Sequence, residues 1–538
     1  MPAALQVVWF KRDLRVRDHR PLHEAARAGG PILALYVYEP EIIRADDFDP
    51  SHLVFINQSL AGLDTRLRKL GGRLTTRVGT LPDVFDELHT LHGIAQLWSH
   101  EESGNSLTYA RDKRVAVWCR QHGVAWTEIP QHGVFRPHPS REGWSARWTA
   151  RMSEPITPVP AVLSTVPDID SGRLQTPADL GLPESARDLA QPGGEAPARR
   201  LLESFLDTRG VDYRRAMSAP GTAWNSCSRL SPYLTFGCLS IRETFQRTRE
   251  RQREVDELDT AGIPLDGRWR RSLASFQSRL RWHCHFIQKL EDEPALEHRN
   301  FSRAYDGMRE ESFDARKFAA WSEGYTGYPL VDACMRALHR SGWINFRMRA
   351  MLASFAAYHL WLHWQPTSVY LARLFLDYEP GIHYPQFQMQ SGVTGINSVR
   401  IYSPTKQALD QDPDGAFIRR FVPELENVPA EFIAEPHRMP GDLQRAYGCR
   451  IGRDYPTPIV DHAEAHARAK ERLGAIRQTE YARREAQRVY ARHGSRERPL
   501  HTRAGVSRKR LVPKRKRVAE AVLATAQREL PLLLAGAK

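Results

Sequence analysis

Residues 5–130 constrain the fold most, because two hydrophobic periods alternate along them. Short apolar or β-branched runs occupy Leu5–Phe10, Ile32–Tyr38, Arg73–Val78, Ile94–Trp98 and Val124–Ile129, each of strand length. Between them, Leu53–Leu70 puts Leu53, Ile56, Leu60, Leu63, Leu67 and Leu70 on one helical face, and Gly71-Gly72 stops the helix. Leu81–His92 and Leu107–His122 repeat the helical pattern. Five such units predict a doubly wound, mostly parallel, Rossmann-like sheet over residues 1–136. Neither G-x-G-x-x-G nor G-x-x-x-x-G-K-[ST] occurs, so a nicotinamide or Walker-type site has no support.

From 137 to 200 the composition shifts to Pro, Ser, Ala and Gly, which reads as a linker rather than a core. Residues 201–475 show helical periodicity throughout, predicting an all-helical second domain. Pro329–Arg340 reads as a helix with proline in its first turn and Gly342 past its end, and Phe346–Trp364 reads as another. Residues 476–538 form a basic extension carrying Ser507-Arg508-Lys509-Arg510 and Pro513-Lys514-Arg515-Lys516-Arg517. Such runs bind phosphate backbones or serve as a solubilising tail, and composition leaves both open.

A net charge of +14 favours an anionic partner such as nucleic acid, and a merely solvated basic surface is the alternative that composition does not separate from it. The six cysteines include no C-x-x-C pair, so no metal site is expected, and sparse thiols fit a reducing compartment. The N-terminus turns charged at Lys11 without a basic leader, and no apolar run reaches spanning length. The expectation is a cytoplasmic monomer without membrane association.

Five segments then recur in a telling order: Tyr213, Cys227-Ser228-Arg229-Leu230-Ser231, Gly324–Asp332, Trp343-Ile344-Asn345-Phe346-Arg347-Met348-Arg349 and Leu376-Asp377-Tyr378-Glu379. Together with Trp9–Arg15 and Asp18 they resemble the photolyase/cryptochrome family from about residue 6 to about residue 475. The resemblance implies an antenna-type α/β domain and a helical domain enclosing FAD. It places Tyr213, Cys227, Ser228, Arg229, Leu230, Ser231 and Phe276 against the cofactor, with Cys227 where threonine is usual. Asn345, Arg349, Asp377 and Glu379 fall at the cofactor as well, the acids meeting the flavin ring and ribose. An acidic acceptor beside ring N–H groups stabilises reduced flavin through charge-assisted hydrogen bonds. His383 aligns with the residue facing flavin N5, asparagine in most photolyases.

The departures bear on substrate. Trp364 matches the middle member of the family's tryptophan relay, but Phe387 or Met389 stands where the flavin-proximal indole belongs. Trp361, Trp343, Tyr384 and Tyr402 are the candidate substitutes, each taken singly more readily read as a packed core aromatic. Trp282 aligns with the indole that stacks a damaged base, while Arg279 replaces a glutamate and Phe346 an asparagine. Arginine donates only, so it cannot accept from a thymine N3–H. Arg279, His283, Phe346, Arg347 and Gln407 are assigned to the DNA face. Glu101–Asn105 lies where an antenna would bind, leaving a folate, a deazaflavin or an empty cleft open. Light-driven repair of UV-induced pyrimidine dimers is the function expected. A cryptochrome-type photoreceptor that binds FAD without repair is the rival, and a basic DNA-binding protein that has lost flavin ranks third.

Overall fold

The computed structural model describes residues 5–136, 141–166 and 168–494. Five strands, β1 (Leu5–Phe10), β2 (Ile32–Tyr38), β3 (Leu74–Val78), β4 (Ile94–His100) and β5 (Ala125–Ile129), form one parallel sheet. Their order is β3-β2-β1-β4-β5, the doubly wound arrangement, with the order reversing between β1 and β4. Every residue of β1 is buried, because helices cover both faces. That is why parallel strands read as unbroken apolar runs rather than alternating ones.

Beyond the sheet the described chain is helical, so the expected combination of an α/β part and an all-helical part is what the structure shows. The helix Pro329–Ser341 starts on proline and ends at Gly342, whose φ of 69° suits the left-handed cap. Its N-terminal approach is tied by Asp332, whose carboxylate accepts from the Thr326 amide at 2.8 Å, the Thr326 hydroxyl at 2.6 Å and the Tyr455 hydroxyl at 2.5 Å.

Three expectations change. The proposed linker contains the helix Trp144–Met152, whose Trp144, Trp148 and Met152 are buried. Trp148 packs edge-on against Phe245 at 5.1 Å. Their spacing of four residues is a helical stripe, diluted in the sequence by surrounding Pro, Ser and Gly.

Phe346–Trp364 is not one helix. An α-helix over Phe346–Ser354 widens to a π-turn over Phe355–His359, and a new helix begins at Trp364. Trp361 sits between with φ +57°, its ring held by the Arg309 and Arg472 guanidiniums at 4.5 and 4.7 Å. Two cation–π contacts offset the backbone strain there.

The 475/476 boundary falls inside the helix His462–Gln478, and a further helix, Glu480–His493, follows with Val489 and His493 buried. The basic runs after residue 506 lie outside the described residues.

Candidate functional site

The carboxyl ends of β1 and β2 frame one cavity, the Asp377–Glu379 segment lines a second, and Tyr378 borders both. The second, of about 500 Å³, is lined by Phe346, Arg349, Asp377, Glu379, His383 and Phe387 among others. The structure therefore brings together Arg349, Asp377, Glu379 and His383, which the sequence placed at one cofactor.

Asp377 is buried and paired bidentately with Arg349, at 3.0 and 2.8 Å. The same guanidinium lies 4.1 Å over the Phe375 ring and donates to Ile344 O at 2.8 Å, so it is locked from three sides. Glu379 is held less tightly. Its partner is Arg12, 3.4 Å away and brought from the end of β1, which also donates to Tyr378 O at 2.5 Å. Burial raises the Glu379 carboxyl above the ordinary range, with Arg12 opposing.

His383 donates Nε2–H to Ser368 O at 2.8 Å, which leaves Nδ1 as the unprotonated edge of a ring lining the cavity. Burial pushes its pKa down to about 4, so the ring is neutral at physiological pH. Phe387, not Met389, is the aromatic at this wall. Trp364 is buried, donates to Asn300 Oδ1 at 2.7 Å and lies 6.5 Å from Tyr384, centroid to centroid.

Outside that cavity's lining, Tyr213 and Phe276 stack edge to face at 5.9 Å. The Ser228 and Ser231 hydroxyls, and the amides of residues 228–231, have no protein partner among the described residues. Arg229 adopts φ +55°, and its guanidinium lies over Trp224 and Trp343 at 4.5 and 5.1 Å. Leu230 is buried in the core, leaving only its backbone available. Cys227 O is occupied by Arg209 at 2.8 Å.

Asn345 supplies the sharpest test of fit. Its amide nitrogen donates to Met217 O and Ser218 O at 3.0 and 2.8 Å, while its buried Oδ1 has no partner. A buried acceptor without a donor costs about 1–3 kcal/mol, which a ligand N–H or O–H would recover. Free hydroxyls and amides suited to a pyrophosphate and an acidic pair suited to ring N–H groups complete a donor set that fits a flavin dinucleotide.

The DNA-face assignments divide. Trp282 and Phe346 are large aromatics 44% and 49% exposed, and Phe346 also lines the cavity. Arg279 is exposed and hydrogen-bonds the Tyr213 phenol. Arg347 makes no ion pair among the described residues. His283 is part-buried, with a pKa pushed down to about 4 by burial. Gln407 is 7% exposed in the helix Pro404–Gln411, and its Oε1 has no partner among the described residues.

Of the other cavity's wall, sequence reasoning singled out the Glu101–Asn105 loop and missed Tyr36, Tyr38 and Arg111. This cavity measures about 950 Å³ and is lined by Trp9, Tyr36, Tyr38, Arg111 and the Glu102–Asn105 loop. Arg111 is fixed by Glu39 at 2.8 Å and Glu102 at 2.6 Å. Tyr378 lines both cavities and donates to Asp47 at 2.7 Å, a contact across 331 residues that no local pattern announces. Among the described residues, no helix is long and apolar enough to cross a membrane.

Comparison with known proteins agrees with this geometry. Residues 6–144 match the family described as DNA photolyase, and residues 276–475 match the FAD binding domain of DNA photolyase. A (6-4)DNA photolyase of Oryza sativa subsp. japonica is 30% identical over 509 residues, covering 88% of this chain and 90% of that protein. A cryptochrome DASH of Gloeobacter violaceus is 29% identical, covering 85% and 93%. The crystal structure of a bacterial class III photolyase from Agrobacterium tumefaciens superposes with a TM-score of 0.77 at 27% identity, covering 89% and 99%. With the acid-paired cavity inside the matched FAD binding domain and a 30% identical relative matched over 90% of its length, the chain belongs to the photolyase/cryptochrome family.

Proposed function

We propose that this protein uses FAD and blue light to repair UV-induced pyrimidine dimers in DNA. The observation that carries the proposal is the exposed Phe346 at the wall of the flavin-type cavity, flanked in sequence by the unpaired Arg347. Bound there, FAD would supply light absorption and one-electron transfer. The chain's own residues do the rest. Arg349 and Asp377 hold the ring edge, and neutral His383 presents an acceptor. Trp282 and Phe346 offer faces to an extruded base, and Arg279 and Arg347 meet backbone phosphate. The larger cavity, aromatic-walled and next to the first, suits an antenna chromophore of the folate or deazaflavin kind.

Blue light should restore intact thymines in an oligonucleotide carrying a defined cyclobutane or (6-4) lesion. Repair of neither, with reduced flavin verified, would reassign the protein to the photoreceptor class. That second reading is favoured by Arg279, a donor bonded to Tyr213 where a lesion-contacting acceptor is expected. In the repair reading, Trp282→Ala should weaken lesion-DNA binding roughly ten- to hundredfold, the worth of one stacked base. Equal affinity of the two proteins would remove Trp282 from the lesion site.

We further propose that the basic extension adds phosphate contacts. The deletion should start after Gly494, because Val489 and His493 are buried and His493 bonds Glu293 at 2.7 Å. DNA affinity should fall and its salt dependence flatten. An unchanged salt slope would show that the extension is a spacer.

A further inference from the structure

A third cavity, of about 490 Å³, lies where β4 ends in His100 and the chain leaves β5 at Pro130. It is separate in lining from both cavities above. Its wall carries the guanidiniums of Arg20, Arg151 and Arg242, the carboxylates of Asp18 and Glu154, and the His100 ring.

Counting donors and acceptors shows what is left over. Asp18 is saturated: it accepts from the Ser240 hydroxyl at 2.6 Å, the Thr157 amide at 3.1 Å and Arg242 at 3.3 Å. Glu154 reaches Arg242 only at 3.5 Å and is half-exposed. Arg242 itself is buried, and its Nε has no partner. Arg151 uses one amino group, Nη1, on His132 O and Val134 O at 3.2 and 2.6 Å. Its remaining N–H groups have no protein acceptor among the described residues. The wall thus offers several cationic donors beyond its internal needs.

His100 adds the opposite function. Its Nδ1 bonds Asp13 at 2.7 Å, and Asp13 also takes His19 Nε2 at 2.9 Å. His19 Nδ1 accepts the Leu22 amide at 3.1 Å, so its single proton is on Nε2 and points to Asp13. This proton order explains the Asp13–His19–His100 cluster without a metal ion. Asp13, a carboxylate shared by two N–H donors, fixes His100 with its proton on Nδ1. The free edge of His100, Nε2, is then a lone-pair acceptor on the cavity wall.

We propose that this cavity binds a phosphate-class oxyanion that carries a hydroxyl, its charged oxygens taken by Arg151 and Arg242 and its P–OH donated to His100 Nε2. Hydrogen phosphate and the singly protonated form of a nucleotide's phosphate monoester, whose second pKa is about 6, share that chemistry. Sulfate has the charge and shape but no hydroxyl to donate, so it leaves His100 unpaired.

Titration of the full-length protein by calorimetry tests this, with inorganic phosphate, a 5′-nucleoside monophosphate and sulfate as separate probes. Saturable one-to-one binding of phosphate or the monoester is expected, at least about tenfold tighter than sulfate. The tighter of the two identifies the source. Arg151→Gln should abolish the binding. Arg20→Gln, at an exposed position where the fold is not at risk, should weaken it several-fold. His100→Asn should keep an anion site but lose the preference over sulfate. Absence of saturable phosphate and monoester binding to the unaltered protein would overturn the proposal. So would sulfate binding equally well, or affinity that persists in both arginine variants, which would place the anion on the general basic surface.

Discussion

Asp377→Asn is expected to yield a protein that no longer retains flavin through purification. Asp377 is buried and doubly bonded to Arg349, and the substitution leaves the guanidinium facing an amide that can accept only one of its two N–H groups. Removing one partner of a buried pair costs about 3–5 kcal/mol, and the cavity also loses the acid that favours ring N–H groups. Together these correspond to a fall in flavin affinity of at least about a hundredfold. The flavin-to-protein absorbance ratio after gel filtration measures it, and circular dichroism separates loss of ligand from loss of fold. Flavin content equal to that of the unaltered protein would move the binding site elsewhere.

The second large effect concerns His52, buried between the two parts of the fold. Its Nδ1 accepts the Asp49 amide at 3.3 Å and its Nε2–H reaches Phe375 O at 3.0 Å, so the folded protein requires the neutral ring. Burial holds its pKa down to about 4, with Asp49 pulling weakly the other way. The unfolded chain protonates it near pH 6.5. Between those values the unfolded state binds the extra proton, so stability falls as pH drops from about 6.5 towards 4. At about 1.4 kcal/mol per pH unit, the loss by pH 5 is about 2 kcal/mol from this residue alone. Urea denaturation of the unaltered protein and of His52→Gln at pH 7 and pH 5 isolates the contribution. The stability gap between them should narrow by about 2 kcal/mol at the lower pH. A gap independent of pH would mean that the ring is charged, or solvated, in the folded state.

How much was legible from sequence follows from the range of the physics involved. Leu5–Phe10 and Ile32–Tyr38 are strands to the residue, because burial on both faces writes itself as a continuous apolar run. Trp144, Trp148 and Met152 escaped notice because composition was weighed over a window wider than the nine-residue helix they define. The break near Trp361 depends on Arg309 and Arg472, each more than 50 residues away, and no local signal could reveal it. At the site, Asp377, Glu379, Arg349 and His383 could be grouped from sequence because a family pattern fixes their spacing, and all four line one cavity. The burial of Gln407 was not legible, because spacing says nothing about burial. The Asn345 Oδ1 without a partner, and the cavity at His100, exist only as relations between distant segments.

Tyr378 carries a consequence for the evolution of this chain. Its backbone belongs to the acid-bearing loop, yet its hydroxyl is anchored on Asp47, while Arg12 and His52 reach back to Glu379 and Phe375. Severing the chain between the sheet and the helices would strand a carboxylate, a guanidinium and an imidazole on one side, and a phenol and an acid on the other. The two halves are therefore not modules that shuffle freely. Whatever substitutions tune one cavity are tied to those that tune its neighbour.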